Sequence, residues 1–276
     1  MNLASPIGQV AGSTGNRRAR TDAAFTMVEI AISLAIIGFA LVAIIGVLPR
    51  GLEVQKENRQ ETIINQDAQY FLDAIRNGAR GLDDLTNYVF AITNWWASYD
   101  TNVAPGNPWL LVAPGRDGYS RLGSDITSII PAPFYPLDSG SNIVGLLGTP
   151  KYRAAGGVVY SNHVVAYVRA LSGSAAEKFP QNDAAVQDLA FSYRLVSEVV
   201  PLAGADTNSP YGKNLQANLR EVRLLFRWPL LPDGNVPVNG GRQVYRSLVG
   251  GSMTNEPLGS PLWFFEPAVY ASIPKP

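Results

Sequence analysis

Hydrophobic positions fall into three regimes along this chain. From Ile30 to Leu48 they are almost continuous, with Ser33 as the one polar residue and no charge. About 20 apolar residues suffice for a helix to cross a bilayer, so this run is long enough to do so. Glu53 to Thr62 is nearly all polar and rich in Glu, Gln, Lys and Arg, which favour helix. Apolar residues then return at Ile63, Ile64, Ala68, Phe71, Leu72 and Ile75, one face at helical spacing. Asn77-Gly78 and Gly81 are stop signals. Pro49 removes one backbone hydrogen bond and crowds the carbonyl of Ile45, which predicts a kink and not an end. The pattern therefore predicts one long bent helix from Phe25 to about Asn77, with its first half suited to lipid and its last turns to a protein core.

Beyond the helix, Leu82 to Gly156 reads as irregular. Trp95-Trp96, Trp109, Phe134 and Tyr135 lie among Pro105, Pro108, Pro114, Pro131, Pro133 and Pro136. The stretch is too long for one structureless loop, so short helices or strands pinned by aromatics are expected, with Trp109 to Val112 a candidate strand. Val158 to Leu171 is strand-like, with Ser161-Asn162 as a candidate turn. Leu189, Phe191, Tyr193 and Leu195 then alternate with Ala190, Ser192 and Arg194, and Val222, Leu224, Phe226 and Trp228 with Glu221, Arg223 and Arg227. Such alternation puts one sheet face on a core and the other in water. Asp233-Gly234 and Gly240-Gly241 bracket a loop before a returning strand, Val244 to Val249. The helix ending near Asn77 is the natural cover for that antiparallel sheet, and the proline-rich tail from Glu256 is expected to lie extended over the surface. The fold class is α+β.

One charge disturbs the apolar helix. Glu29 sits at its lip, where an unpaired carboxylate in lipid costs several kcal/mol, on the order of any intramembrane acid, and so demands a partner. The sequence around it, Ala24-Phe25-Thr26-Met27-Val28-Glu29, follows a leader carrying Arg17, Arg18 and Arg20.

This order of basic leader, small residue, Phe, Thr, two apolar residues, Glu and apolar helix resembles the N-terminus of type IV pilin-like prepilins, the superfamily that includes the pseudopilins of type II secretion. The order from Glu29 to Ala40 followed by Leu48-Pro49-Arg50-Gly51-Leu52, with the long C-terminal region, is similar to minor or accessory members, and to cassette-type prepilin proteins of the Verrucomicrobia. The resemblance covers roughly Arg17 to Leu52. It implies a pilin-like fold, cleavage after Ala24 by a prepilin peptidase, N-methylation of Phe25, and packing of the helices into a filament core. There Glu29, in its setting with Thr26, would face the amino terminus of Phe25 on a neighbouring subunit. The family most often has Gly before the cut; here Ala24 stands in its place.

The resemblance implies residues 1–24 as a cleaved leader, 25–48 as the transmembrane or filament-core helix, 49–78 as its exported continuation and 79–276 as an exported β-rich domain. The expected function is a minor subunit of a type IV pilus or type II secretion-like filament. Its partners would be other pilin-like subunits, the prepilin peptidase, an inner-membrane assembly platform and membrane lipid. Arg17, Arg18 and Arg20 before the span, against Arg50 and Lys56 after it, give a modest positive-inside bias, so the leader is expected in the cytoplasm and the domain in the periplasm. A secretory signal would have a shorter apolar core and an Ala-x-Ala-like site, and Asp22 argues against a twin-arginine leader. The standing alternative is a single-span anchored protein whose outer domain binds a ligand as a monomer.

Composition adds little to this. The formal net charge is zero and the pI about 6.6, so no global field draws the chain to nucleic acid, and none is expected as a partner. There is no cysteine and one histidine, His163, which excludes the common zinc sites, and no cofactor or metal is expected. No nucleophile elbow, P-loop or dinucleotide fingerprint occurs. A membrane-anchored enzyme is a second alternative; with no convergent polar constellation in the sequence, no catalysis is expected. Asp83-Asp84 reads as a solvated pair. Asp233, Asn235 and Asn239 offer oxygens that calcium accepts, but one acid is thin ligation and a plain hairpin loop fits better. Gly38 and Gly46 share a helical face with Val42, a spacing that ordinary membrane-helix composition explains. Trp95-Trp96 and Trp109 are expected in the core of a loop-rich region. Arg220, Arg223, Arg227, Arg242 and Arg246 are expected on solvated, salt-linked strand faces.

Overall fold

A computed structural model describes residues 25–100, 110–121, 135–173, 191–204 and 208–271. Ala24 and the leader, Trp109, Phe134, Leu189 and the final prolines Pro274 and Pro276 lie outside the described residues. The chain forms two compact units, Met1–Gln55 and Lys56–Pro276.

Helix α1 runs Met27–Arg76, 50 residues, with Pro49 inside it. Through residue 55 every described position is exposed, including Ile36, Phe39 and Ile45, so no side chain of this stretch is buried in a core. By length and composition it can span a membrane.

In the second unit the same helix changes character. Ile63, Ile64, Ala68, Phe71, Leu72 and Ile75 are buried, as their spacing predicts. Each large apolar side chain so buried contributes about 1.5–3 kcal/mol. The helix ends in a Schellman motif: Gly78, in the left-handed region at φ +54°, donates its N–H to the Ile75 carbonyl, and Ala79 donates to Ala74.

The helix covers a sheet in the order β3-β2-β1-β5-β6-β7-β8, where β1 is Val89–Asp100, β2 Leu110–Ser120, β3 Tyr135–Pro136, β5 Val158–Arg169, β6 Ser192–Pro201, β7 Leu219–Trp228 and β8 Gly241–Gly250. A further strand, β4 (Tyr152–Ala155), pairs with β5, and all pairings are antiparallel except β2 with β3. The alternation read in β6 and β7 is realised: Tyr193, Leu195, Val222, Leu224, Phe226 and Trp228 are buried on the helix side. Helix α2 (Gly140–Leu147) is capped by Ser139 and adds Ile143, Val144, Leu146 and Leu147 to the same core.

Three expectations are corrected. Much of the region expected to be irregular is long sheet, with β1 and β2 paired from Ala91↔Ser120 to Asp100↔Leu110. Ser161-Asn162 is not a turn, because Asn162 lies within β5, donating its side-chain amide to the Pro150 carbonyl and accepting from Asn94. The turn lies earlier, at Gly156-Gly157, both at positive φ as a tight hairpin requires. Nor does the whole tail lie on the surface: β9 (Ser252–Asn255) and β10 (Trp263–Glu266) form a hairpin that buries Leu262, Phe264 and Phe265.

Candidate functional site

The residues singled out at the start of α1 form a capping box. Thr26 is the N-cap. Its hydroxyl accepts from the Glu29 N–H at 3.3 Å, while Glu29 Oε2 accepts from the Thr26 N–H at 2.9 Å and its hydroxyl at 3.0 Å. The first helical bond, Ile30 N–H to the Thr26 carbonyl, follows at 3.2 Å. Thr-x-x-Glu satisfies two otherwise orphaned donors in this way. Phe25 stands just outside the box with its ring exposed, and Ala24 lies outside the described residues. The structure therefore brings Thr26 and Glu29 together and leaves Phe25 apart. A local role for this pair was missed in the sequence, although the Thr-x-x-Glu spacing states it. The box supplies hydrogen bonds to one carboxylate oxygen but no neutralising charge.

A second site was not read at all. Asp67 lies on the buried stripe of α1, between Ile64 and Ala68 on one side and Phe71 on the other, and is 1% exposed. Its carboxylate accepts from the N–H groups of Leu171 and Ser172 at 3.0 Å each, from the Ser172 hydroxyl at 2.7 Å and from the Tyr193 hydroxyl at 2.8 Å. Burial pushes its carboxyl above the ordinary range, and these bonds pull against that. Burial, with the Asp67 charge and hydrogen bond, holds the Tyr193 phenol well above its usual value, so it remains a donor. The arrangement ties α1 to the end of β5 and to β6. The signal was an acid at a helical position the apolar period assigns to the core.

The remaining candidates resolve into structural roles. Asp83 is not merely solvated: its Oδ1 accepts from the Gly140 N–H at 2.9 Å and the Ser139 hydroxyl at 3.1 Å, fixing the start of α2. Asp84 is exposed. Asp233 accepts from the backbone and side-chain amides of Asn235 at 2.9 and 3.0 Å, closing its own turn, and these bonds lower its carboxyl. Among the described residues no three His, Cys, Asp or Glu side chains gather as a metal site.

Trp95 and Trp96 lie in strand β1 and not in a loop-rich core. Trp95 is 39% exposed with the Arg116 guanidinium 5.4 Å from its ring, while Trp96 donates its indole N–H to Asp117 at 2.9 Å and meets Tyr160 edge-on. His163 stands exposed opposite Trp95 in the β5 register. Gly38 and Gly46 face open space. Of the late arginines, Arg223 and Arg246 share Glu221 at 2.6 and 3.8 Å. Arg220 is half-buried, and burial lowers its guanidinium from the usual value.

Compared with family models, curated proteins and solved structures, the chain matches none.

Proposed function

We propose that this chain is a prepilin-like subunit, of minor type, of a type IV pilus or type II secretion-like filament. On this reading it adopts the pilin-like arrangement, is cut after Ala24, is N-methylated at Phe25, and sits in the bacterial inner membrane with its leader cytoplasmic and its sheet domain periplasmic. Its function is assembly, with a prepilin peptidase, an inner-membrane platform, lipid and other pilin-like subunits as partners.

The carrying observation is the division of α1. One end is an apolar helix whose every side chain is exposed; the other is fastened through Ile64, Asp67 and Phe71 to a sheet. Such an apolar surface needs lipid or other helices around it, and exchanging lipid for neighbours through close packing is what a filament core requires. Glu29 retains a charge that hydrogen bonds from Thr26 do not cancel, so a neighbour's new amino terminus remains its best partner.

One observation favours the alternative, a single-span membrane-anchored binding protein. The capping box gives Thr26 and Glu29 a use within one chain, which an anchor could share. Mass spectrometry of the N-terminal peptide from the native host's membranes separates the two. The expected peptide starts at N-methylated Phe25. A chain still carrying Met1 to Ala24 in cells with active prepilin peptidase would establish the anchor instead.

A further inference from the structure

On the sheet face turned away from α1, the register lines side chains up in rows across the strands. Arg194 of β6 stands opposite Arg227 of β7, which stands opposite Arg242 of β8. Adjacent strands are about 4.8 Å apart, so the three arginines stand side by side across the strands. Like charges directly opposite destabilise a sheet. Among the described residues no carboxylate or carbonyl takes any of the three, and the Nε groups of Arg194 and Arg227 are buried without a hydrogen-bond partner.

The next charged row of the same face is a contrast. Arg223 and Arg246 also stand opposite each other, yet Glu221 reaches both, and Glu198 in that row takes Lys151 at 2.6 Å. Val196, Leu225 and Val244 lie in register between the two rows. The first row is thus basic where the second is neutralised. A zero net charge disfavours a polyelectrolyte as its ligand. Arginines beside an apolar row are the composition of a protein interface.

The chain carries a matching surface. Glu57 and Glu61 lie four residues apart on exposed α1, about 6 Å along the helix. Neither Glu57 nor Glu61 is in an ion pair among the described residues. Glu61 lies on α1, on the helix side of the sheet near Tyr245, whose phenol is raised by burial first and by the Glu61 charge second, so it faces away from the arginine row of its own chain.

We infer that the Arg194–Arg227–Arg242 row of one copy receives Glu57 and Glu61 of a second copy. The two patches are different surfaces of one chain, so the contact is head-to-tail and propagates instead of closing a symmetric dimer. Charge-assisted contacts of this kind fix orientation and exclude wrong registers. This rests on the assembly reading above and specifies which outer surfaces meet.

The absence of cysteine makes the test clean. Full-length Glu57→Cys and Arg227→Cys chains are produced together in the native host and oxidised in membranes. A disulfide-linked dimer containing one of each is expected, about tenfold weaker when Arg194→Glu and Arg242→Glu are added to the second chain, and restored when Glu61→Arg is added to the first. A Val42→Cys chain reports helix packing separately. Val42 crosslinks without the Glu57–Arg227 product would overturn the inferred contact while leaving assembly standing. Loss of both would remove the assembly reading and this contact with it. A Glu57–Arg227 product indifferent to charge reversal would sink the electrostatic match.

Discussion

Asp67 is the residue on which the second unit turns. A carboxylate among Ile64, Ala68 and Phe71 is tolerable because four hydrogen bonds converge on it, two from backbone N–H groups that have no other use for their protons there. Tyr193→Phe removes one donor and should destabilise the domain by about 1–2 kcal/mol; Asp67→Asn turns an amide donor toward donors and should cost about 1–3 kcal/mol. The pH dependence follows from burial as the largest influence. The folded carboxyl holds its proton more tightly than the unfolded one, so the share of stability tied to Asp67 is fullest at or below the unfolded carboxylate range. It falls as pH rises from there through the raised folded value, and is flat above. Urea unfolding of the full chain in detergent, followed by tryptophan fluorescence from about pH 4 to 7, should show that downward contribution in the wild type and not in Asp67→Asn. An unchanged slope in the variant would assign the effect to other groups.

Among the elements, the C-terminal hairpin β9–β10 depends on how α1 ends. A side chain on Gly78 would need positive φ and would run into the Phe265 carbonyl of β10, whereas one on Gly81, also at positive φ, would meet open space. Gly78→Val should therefore cost at least about 2 kcal/mol and loosen the hairpin, while Gly81→Ala should cost about 1 kcal/mol from backbone strain alone. Thermal unfolding with protection of the Phe264 and Phe265 amides measures both. The same contrast marks what the residues could reveal. The last turns of helix α1 and strands β6, β7 and β8 were legible because a single period runs through each, 3.6 in one case and 2 in the others. Strand β1 was not: its register shifts between Val89 and Ala91, which puts Val89 and Ile92 on the same core and breaks the alternation. Pro114, Gly115 and Gly118 made β2 look like loop, and Gly115 is in fact the space over which the Trp96 ring lies. The prolines after Glu256 hid a hairpin whose Phe264 and Phe265 are core residues. At the candidate site, Thr26 and Glu29 carry a spacing that states a helix cap, but the resemblance directed Glu29 to a partner outside the chain and the hydrogen bonds of the helix start compete with that partner.

At the scale of the whole molecule, that competition decides what the chain is for. Capping and charge pairing make different demands on Glu29. A glutamine at the third helical position can accept from the Thr26 N–H as a glutamate does, so Glu29→Gln preserves the box and removes only the charge. Thr26→Ala does the reverse, weakening the helix start by about 1 kcal/mol while the carboxylate keeps its charge. For a monomeric anchor, neither change should matter beyond the first turn, and the two variants should enter the membrane and persist there alike. For a filament subunit, membrane insertion should again be equal, but incorporation should fail in Glu29→Gln, because nothing then meets the amino terminus of the neighbouring Phe25, and should survive in Thr26→Ala. Sedimentation of sheared filaments, against total membrane protein, reads both quantities from one sample. Normal incorporation of Glu29→Gln would remove the charge from the mechanism and leave Glu29 as a helix cap.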